Sequence, residues 1–451
     1  MARSRNNGDN GAGPAGEYVK LEDRLVLVAW LNSLLGYKTN RELLADMKEA
    51  QEGFDPYGQS FIRHRLAGRG NQVRIPLSVL GAYDENIRAH LAAINAGRAE
   101  PITLRYFQYL AVLYAEIFLD WYFNRPGELL RQLNAFVAER NSASAWDDRP
   151  REKPFAAEDL TKLAFWMATG SGKTLIMHIN YRQFLRYNRR PLDNILLITP
   201  NEGLSEQHIA EMAASVIPCV RFSLQESGLG LTERNVVRVI EITKLVQEKR
   251  GGGLSVPVEA FEGNNLILVD EGHKGSGGEA WRGFRDALGR TGFTFEYSAT
   301  FGQALTAARD DALTAEYGKA IAFDYSYKYF HGDGYGKDFH ILNLREERAE
   351  EQTDALLLGN LLSFYEQQRC FTEQAGSLRS YNLDKPLWVF VGSSVNAVYR
   401  ESGQPRSDVL TVARFLHRFL ENKGGWAVRT IEELIEGRSG LACSPKHRCC
   451  S

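Results

Sequence analysis

The chain has 451 residues, a formal net charge of −2, and 44% hydrophobic against 24% charged residues. That length fits about three domains of ordinary size, with a core that needs no disulfide or metal staple. The mixture is that of a soluble globular protein without an apolar run near the roughly 18 residues of a membrane span, so no membrane role is expected. Near-neutrality also means that any grip on nucleic acid must come from a local basic surface rather than from the field of the whole molecule.

Residues 1–16 are rich in Asn, Gly, Arg and Ala, lack the apolar centre of a secretory signal, and read as a disordered tail. Cysteine usage agrees with a cytoplasmic location: Cys219 and Cys370 are isolated, and Cys443, Cys449 and Cys450 crowd the last residues, which is no disulfide framework. Over 17–140 apolar residues recur at helical spacing, as in Leu25, Val28, Leu31 and Leu34 and again in Leu110, Leu113 and Ile117, which predicts a mostly helical N-terminal region. Residues 141–159 hold Ser142, Ser144, Asp147, Asp148, Pro150 and Pro154, the composition of a loop or linker.

From 160 to 330 short apolar segments bounded by turn residues alternate with helical ones: Leu163 to Trp166, Asn194 to Thr199, Val236 to Glu241, Leu266 to Val269 and Thr294 to Tyr297. This alternation predicts an α/β domain, a parallel sheet with helices on both faces. Tyr325, Tyr327, Tyr329 and Phe330 alternate as a strand would, and read as core and interdomain packing rather than as base-stacking residues. A connecting segment, 331–385, runs from a glycine-rich passage through a charged helical stretch, Glu346 to Gln368. Leu387 to Val391 then reads as a strand opening a second α/β domain over 386–442. Only about 60 residues follow it, fewer than such a domain needs. Residues 443–451 shift abruptly to Cys, Pro, Lys, His and Arg, an aberrant tail whose Cys443, His447, Cys449 and Cys450 lack a paired zinc-ligand spacing. Arg186, Arg189 and Arg190 read as a solvated helix end.

Two motifs carry chemistry. Met167-Ala168-Thr169-Gly170-Ser171-Gly172-Lys173-Thr174 follows a predicted strand and precedes a helical run, the context of a phosphate-binding loop. Gly170 and Gly172 let backbone amides turn toward phosphates, and the helix N-terminus favours anions. Lys173 is placed to reach the β- and γ-phosphates and Thr174 to ligate Mg²⁺, so ATP and Mg²⁺ are the expected cofactors. Met167 stands where the strict pattern has its first glycine. About 100 residues on, Leu266 to Val269 runs into Asp270-Glu271-Gly272-His273, two adjacent carboxylates at a buried strand end. Asp270 can complete the Mg²⁺ shell while Glu271 orients and deprotonates a water, the division of labour that phosphoryl transfer to water requires. An acidic turn is the bland alternative for the pair alone, and it is hard to keep beside the loop.

With Ser298-Ala299-Thr300 after a third apolar strand, these motifs resemble the first RecA-like domain of superfamily 2 helicases. Among these they are most similar to the DEAD/DEAH-box-like proteins grouped with type III restriction enzyme Res subunits. The resemblance implies that Ser298, Thr300 and His273 couple nucleotide state to nucleic acid. It further implies that Thr199, Pro200, Asn201, Gln207 and Thr243 lie along a nucleic-acid backbone, and that Gln108 reads the adenine. Thr199 to Asn201 also suits an ordinary strand-to-helix turn, Thr243 an ordinary loop, and Gln108, about 65 residues before the loop, a surface position on a packed helix. The implied function is an ATP-dependent helicase or translocase of restriction or defence type acting on double-stranded DNA, with a methyltransferase or other restriction subunit as possible partner. The arginine motifs of a second RecA-like domain are not found, Glu436-Gly437-Arg438-Ser439-Gly440 lacking the Gln and second Arg. The expectation is therefore the N-terminal part of a longer motor, weakly active alone. The rival reading is a non-catalytic fragment that binds ATP and nucleic acid.

Overall fold

The computed structural model describes residues 19–143, 151–222, 235–246, 256–257, 261, 263–271, 288–289, 292–336, 342–344, 350–378, 385–390, 399–401, 404–406, 408–436 and 441–443. The chain divides into two compact units, Met1–Gly336 and Lys337–Ser451.

In the first unit the apolar runs become strands β1 (Lys162–Met167), β2 (Asn194–Thr199), β3 (Cys219–Arg221), β4 (Val237–Glu241), β5 (Asn265–Asp270), β6 (Phe293–Ser298) and β7 (Ile321–Tyr325). They form one sheet in the order β3-β4-β2-β5-β6-β1-β7, with every neighbouring pair parallel. Continuous burial along β1, β2, β5 and β6 is what a parallel sheet covered on both faces demands. The two-residue period sorts the side chains: Leu163, Phe165, Leu197, Leu268 and Phe295 enter one core, while Ala164 and Trp166 enter a second and Leu196, Ile198 and Ile267 a third. This is the RecA-like α/β arrangement.

The helices before the sheet are α1 (Val26–Leu34), α2 (Asn40–Met47), α3 (Phe61–Gly68), α4 (Leu77–Asn95), α5 (Tyr106–Asn124) and α6 (Pro126–Ala143). α5 is buried all round from Tyr109 to Leu119, and a helix apolar on every side must be enclosed. It packs on α7 (Lys173–Tyr187), on α4 and on β7, so the N-terminal helices share one continuous core with the sheet. A buried polar knot fastens this contact. Glu116 accepts hydrogen bonds from Asn86 Nδ2 at 2.6 Å, Gln183 Nε2 at 2.6 Å and the Tyr187 hydroxyl at 2.7 Å, tying α4 and α7 to α5. Burial pushes the Glu116 carboxyl up, and these three donors act against the shift. The described part of 141–159 is pinned rather than free: the amide of Asn141 pairs with both backbone groups of Glu152, at 2.8 and 2.9 Å, and Asn134 does the same with Phe155.

After β2 comes α8 (Glu202–Ala214), and after β6 come α9 (Phe301–Ala308) and α10 (Asp311–Ala320). The predicted strand through Phe330 is corrected. β7 stops at Tyr325, Asp324 Oδ1 accepts the Ser326 N–H at 3.0 Å, and Tyr327–Gly332 forms helix α11, with Tyr325 buried and Tyr327 exposed. Asp333, just beyond, accepts the hydroxyls of both Tyr106 and Tyr325 and pairs with Lys48 at 3.1 Å.

The second unit contains α12 (Glu350–Glu373), α13 (Asp408–Glu421) and α14 (Trp426–Ile435), with two antiparallel strand pairs, Leu342–Leu344 with Leu441–Cys443 and Tyr399–Glu401 with Gln404–Arg406. The strand expected from Leu387 is a further correction: Leu387 to Phe390 pairs with no strand among the described residues, and Leu387 and Val389 are exposed. Without a neighbouring parallel strand an apolar run has no ladder to join. Val391 to Ser394, His447, Cys449 and Cys450 lie outside the described residues. No described helix is long and apolar enough to cross a membrane.

Candidate nucleotide site

The carboxyl ends of β1, β5 and β6 lie side by side in the sheet, and each feeds one of the three motifs read in the sequence. After Met167 the chain turns through Ala168 to Gly172 and enters α7 at Lys173. Gly170 and Gly172 have φ of 84° and 88°, the left-handed region that glycine alone adopts freely. Ser171 is buried and braces the turn, its backbone N–H and hydroxyl both donating to the Ala168 carbonyl at 3.2 and 2.7 Å. Thr169 and Gly170 stand exposed above it, and Thr174, in the first turn of α7, is half-buried.

Lys173 curls back so that Nζ lies 3.4 Å from the carbonyls of Met167 and Ala168, long contacts that hold an ammonium loosely. Burial pushes its pKa down, and the negative fields of Glu271 and Asp270 pull it up. The lysine of the loop thus lies within the electrostatic reach of the acidic pair of β5, though about 100 residues separate them in sequence. Asp270 Oδ1 accepts the Glu271 N–H at 3.0 Å, and Glu271 itself has a φ of 56°. A non-glycine residue held there costs energy, and such strain gathers at functional sites. In β6, Ser298 is buried and its Oγ accepts the Thr300 N–H at 3.0 Å. The Thr300 hydroxyl is buried with no partner among the described residues. His273 lies outside the described residues.

Gln108, from the first turn of α5, reaches this loop. Its Nε2 donates to the Ser171 carbonyl at 2.9 Å, while its Oε1 accepts the Arg105 N–H at 2.9 Å. The distance in sequence is bridged because α5 packs along α7. Behind it Phe107 stacks on Tyr325 with centroids 4.0 Å apart, and the Phe330 ring lies 3.6 Å from where a Cβ on Gly170 would stand.

The proposed backbone-contacting residues divide. Thr199 turns inward: it is buried and its hydroxyl is bonded to Ser205 Oγ at 2.6 Å. Asn201 caps α8, accepting the Leu204 N–H at 3.0 Å, and Pro200 sits between them half-buried. Gln207 is exposed and donates to Glu211 at 2.8 Å, and Thr243 is exposed on the turn after β4. Sequence reasoning missed His208, whose Nε2 lies 3.0 Å from Asp270 Oδ2. The one signal for it was the inward stripe Ser205, His208, Met212 on α8.

Gly172→Ala is expected to cost about 1–2 kcal/mol of stability from the left-handed backbone alone. An added Cβ would also overlap Gln108 Nε2, so the amide must swing away and its bond to Ser171 must break. Thermal melts of Gly172→Ala and Gln108→Ala separate the two effects: the alanine at 172 should lower Tm well beyond the change at 108, and equal melting would refute the backbone argument.

Residues 129–303 match the model of a family described as type III restriction enzyme, res subunit, a span that includes the loop, the acidic pair and Ser298 to Thr300. Among solved structures the chain is similar to the UvsW helicase from bacteriophage T4, at 16% identity over 44% of this chain and 71% of that chain, with a TM-score of 0.26. No curated protein matches.

Proposed function

We propose that this helicase-like core is an ATP-dependent helicase or translocase of restriction or defence type that acts on double-stranded DNA. The observation that carries the reading is the placement of Lys173 in the joint field of Asp270 and Glu271, at the N-terminus of α7. Thr169 to Gly172 would wrap the phosphates with backbone amides, Lys173 would neutralise the β- and γ-phosphates, and Gln108 would brace the loop and read the adenine. Thr174 and Asp270 are the groups that fit Mg²⁺, which supplies charge neutralisation across the phosphates when bound. Glu271 would take the proton of the attacking water. Ser298, Thr300 and His273 would report nucleotide state to DNA lying along the segment Thr199, Pro200 and Asn201 and along Gln207 and Thr243. A methyltransferase or other restriction subunit is the proposed partner.

Turnover by this chain alone is proposed to be slow, because its sequence holds neither arginine motif, and an arginine on the transferring phosphate is worth roughly 10³ to 10⁵ in rate. Steady-state hydrolysis with duplex DNA, single-stranded DNA and RNA tests the proposal. Duplex DNA should stimulate most. Binding of ATP and DNA without any turnover would instead favour a non-catalytic binding module, and equal rates with and without nucleic acid would overturn the motor assignment.

A further inference from the structure

Asp270 is held from two sides. One carboxylate oxygen accepts the neighbouring Glu271 N–H, and the other, Oδ2, meets His208 Nε2 at 3.0 Å. His208 comes from a different element, α8, and its side chain is 3% exposed against 12% for Asp270. The helix that carries it is fixed in turn. Asn201 caps its first turn, Ser205 bonds Thr199 at the end of β2, and Met212 anchors the same inward stripe in the core.

An ionised carboxylate only accepts, so His208 Nε2 must carry the proton in this contact. Nδ1 is buried with no partner among the described residues, and in the neutral Nε2–H tautomer it is a bare lone pair, less costly than a stranded N–H. A carboxylate on a strand end otherwise rotates about its own bonds. Two donors fixed on different elements stop that rotation and leave the remaining lone pairs in a set orientation.

We propose that His208 is a positioning residue for Asp270, orienting its carboxylate toward the divalent cation shared with Thr174. This rests on the nucleotide-site reading above. Partners that orient a metal-ligating carboxylate are typically worth roughly 10- to 100-fold in metal affinity. The role is distinct from catalysis, since His208 acts through Asp270.

The test uses Mn²⁺ as probe, with free Mn²⁺ read by electron paramagnetic resonance in the presence of a non-hydrolysable ATP analogue. His208→Leu should weaken Mn²⁺ about 10- to 100-fold while leaving analogue affinity in EDTA within about threefold of the parent. His208→Gln, whose amide nitrogen can occupy the Nε2 position, should recover most of the Mn²⁺ affinity. Parental Mn²⁺ affinity in His208→Leu overturns the positioning role and leaves the nucleotide site standing. Equal loss in both variants, with analogue binding in EDTA lost as well, points to a purely structural residue and also overturns it. A parent that takes up no Mn²⁺ with the analogue sinks this inference and the nucleotide-site reading together. Should the leucine variant fail to fold, imidazole ¹⁵N shifts of the parent decide: the Nε2–H tautomer is required, and Nδ1–H contradicts the proposal.

Discussion

Glu271→Gln is expected to retain Mg²⁺·ATP binding within about threefold of the parent and to lower hydrolysis by roughly 10²- to 10⁴-fold, the usual worth of a positioned general base. The substitution keeps shape and length and removes the basicity together with the negative charge, leaving the field of Asp270 on Lys173. Asp270, the proposed metal ligand, keeps its contacts with the Glu271 backbone and His208, neither of which involves the Glu271 side chain. The left-handed backbone at 271 is likewise retained, since Glu and Gln pay the same cost there. Single-turnover hydrolysis together with analogue affinity checks the prediction. Parental turnover would show that another group accepts the proton.

Lys173→Ala should act one step earlier, on binding itself. The ammonium is half-buried, and among the described residues it meets two carbonyls through long contacts and the fields of two carboxylates. Truncation removes the cation that the loop is proposed to aim at the phosphates. It also leaves Asp270 and Glu271 facing an anionic ligand. Breaking a largely desolvated charge contact by removing one partner costs about 3–5 kcal/mol, so analogue affinity should fall by roughly 10²-fold or more. Titration with a fluorescent ATP analogue measures this, and equal affinity in variant and parent would refute the phosphate-loop assignment.

The placement of the candidate site's two motifs was legible because each is written in contiguous residues. The phosphate loop and the acidic pair each follow an apolar run that could only be a buried strand, and β1, β2, β5 and β6 form within a residue of the expected bounds. What stayed hidden depends on tertiary placement. β3, three half-buried residues at the sheet edge, carries too short a pattern to read. The alternation from Tyr325 to Phe330 copied a strand period by chance while Ser326 began a helix. At Leu387 the apolar run had the right composition, but burial depends on a partner strand that local sequence cannot announce.

Two side chains of the candidate site show the same division. Gln108 could be singled out from a resemblance, yet its bond to Ser171 follows only from the packing of α5 on α7, a contact made by the whole apolar surface of that helix. His208 lay next to the singled-out Gln207, one position round the helix. Gln207 turned outward to Glu211 and His208 inward to Asp270, a difference set by which face of α8 meets the sheet.

The carboxyl edge of this sheet is proposed to hold a nucleoside triphosphate with its metal. Calorimetric titration of the purified 451-residue chain with a non-hydrolysable ATP analogue, with and without Mg²⁺, tests it most directly. The account predicts one equivalent bound with micromolar affinity, strengthened by Mg²⁺. No heat of binding under either condition, confirmed by equilibrium dialysis, would contradict it.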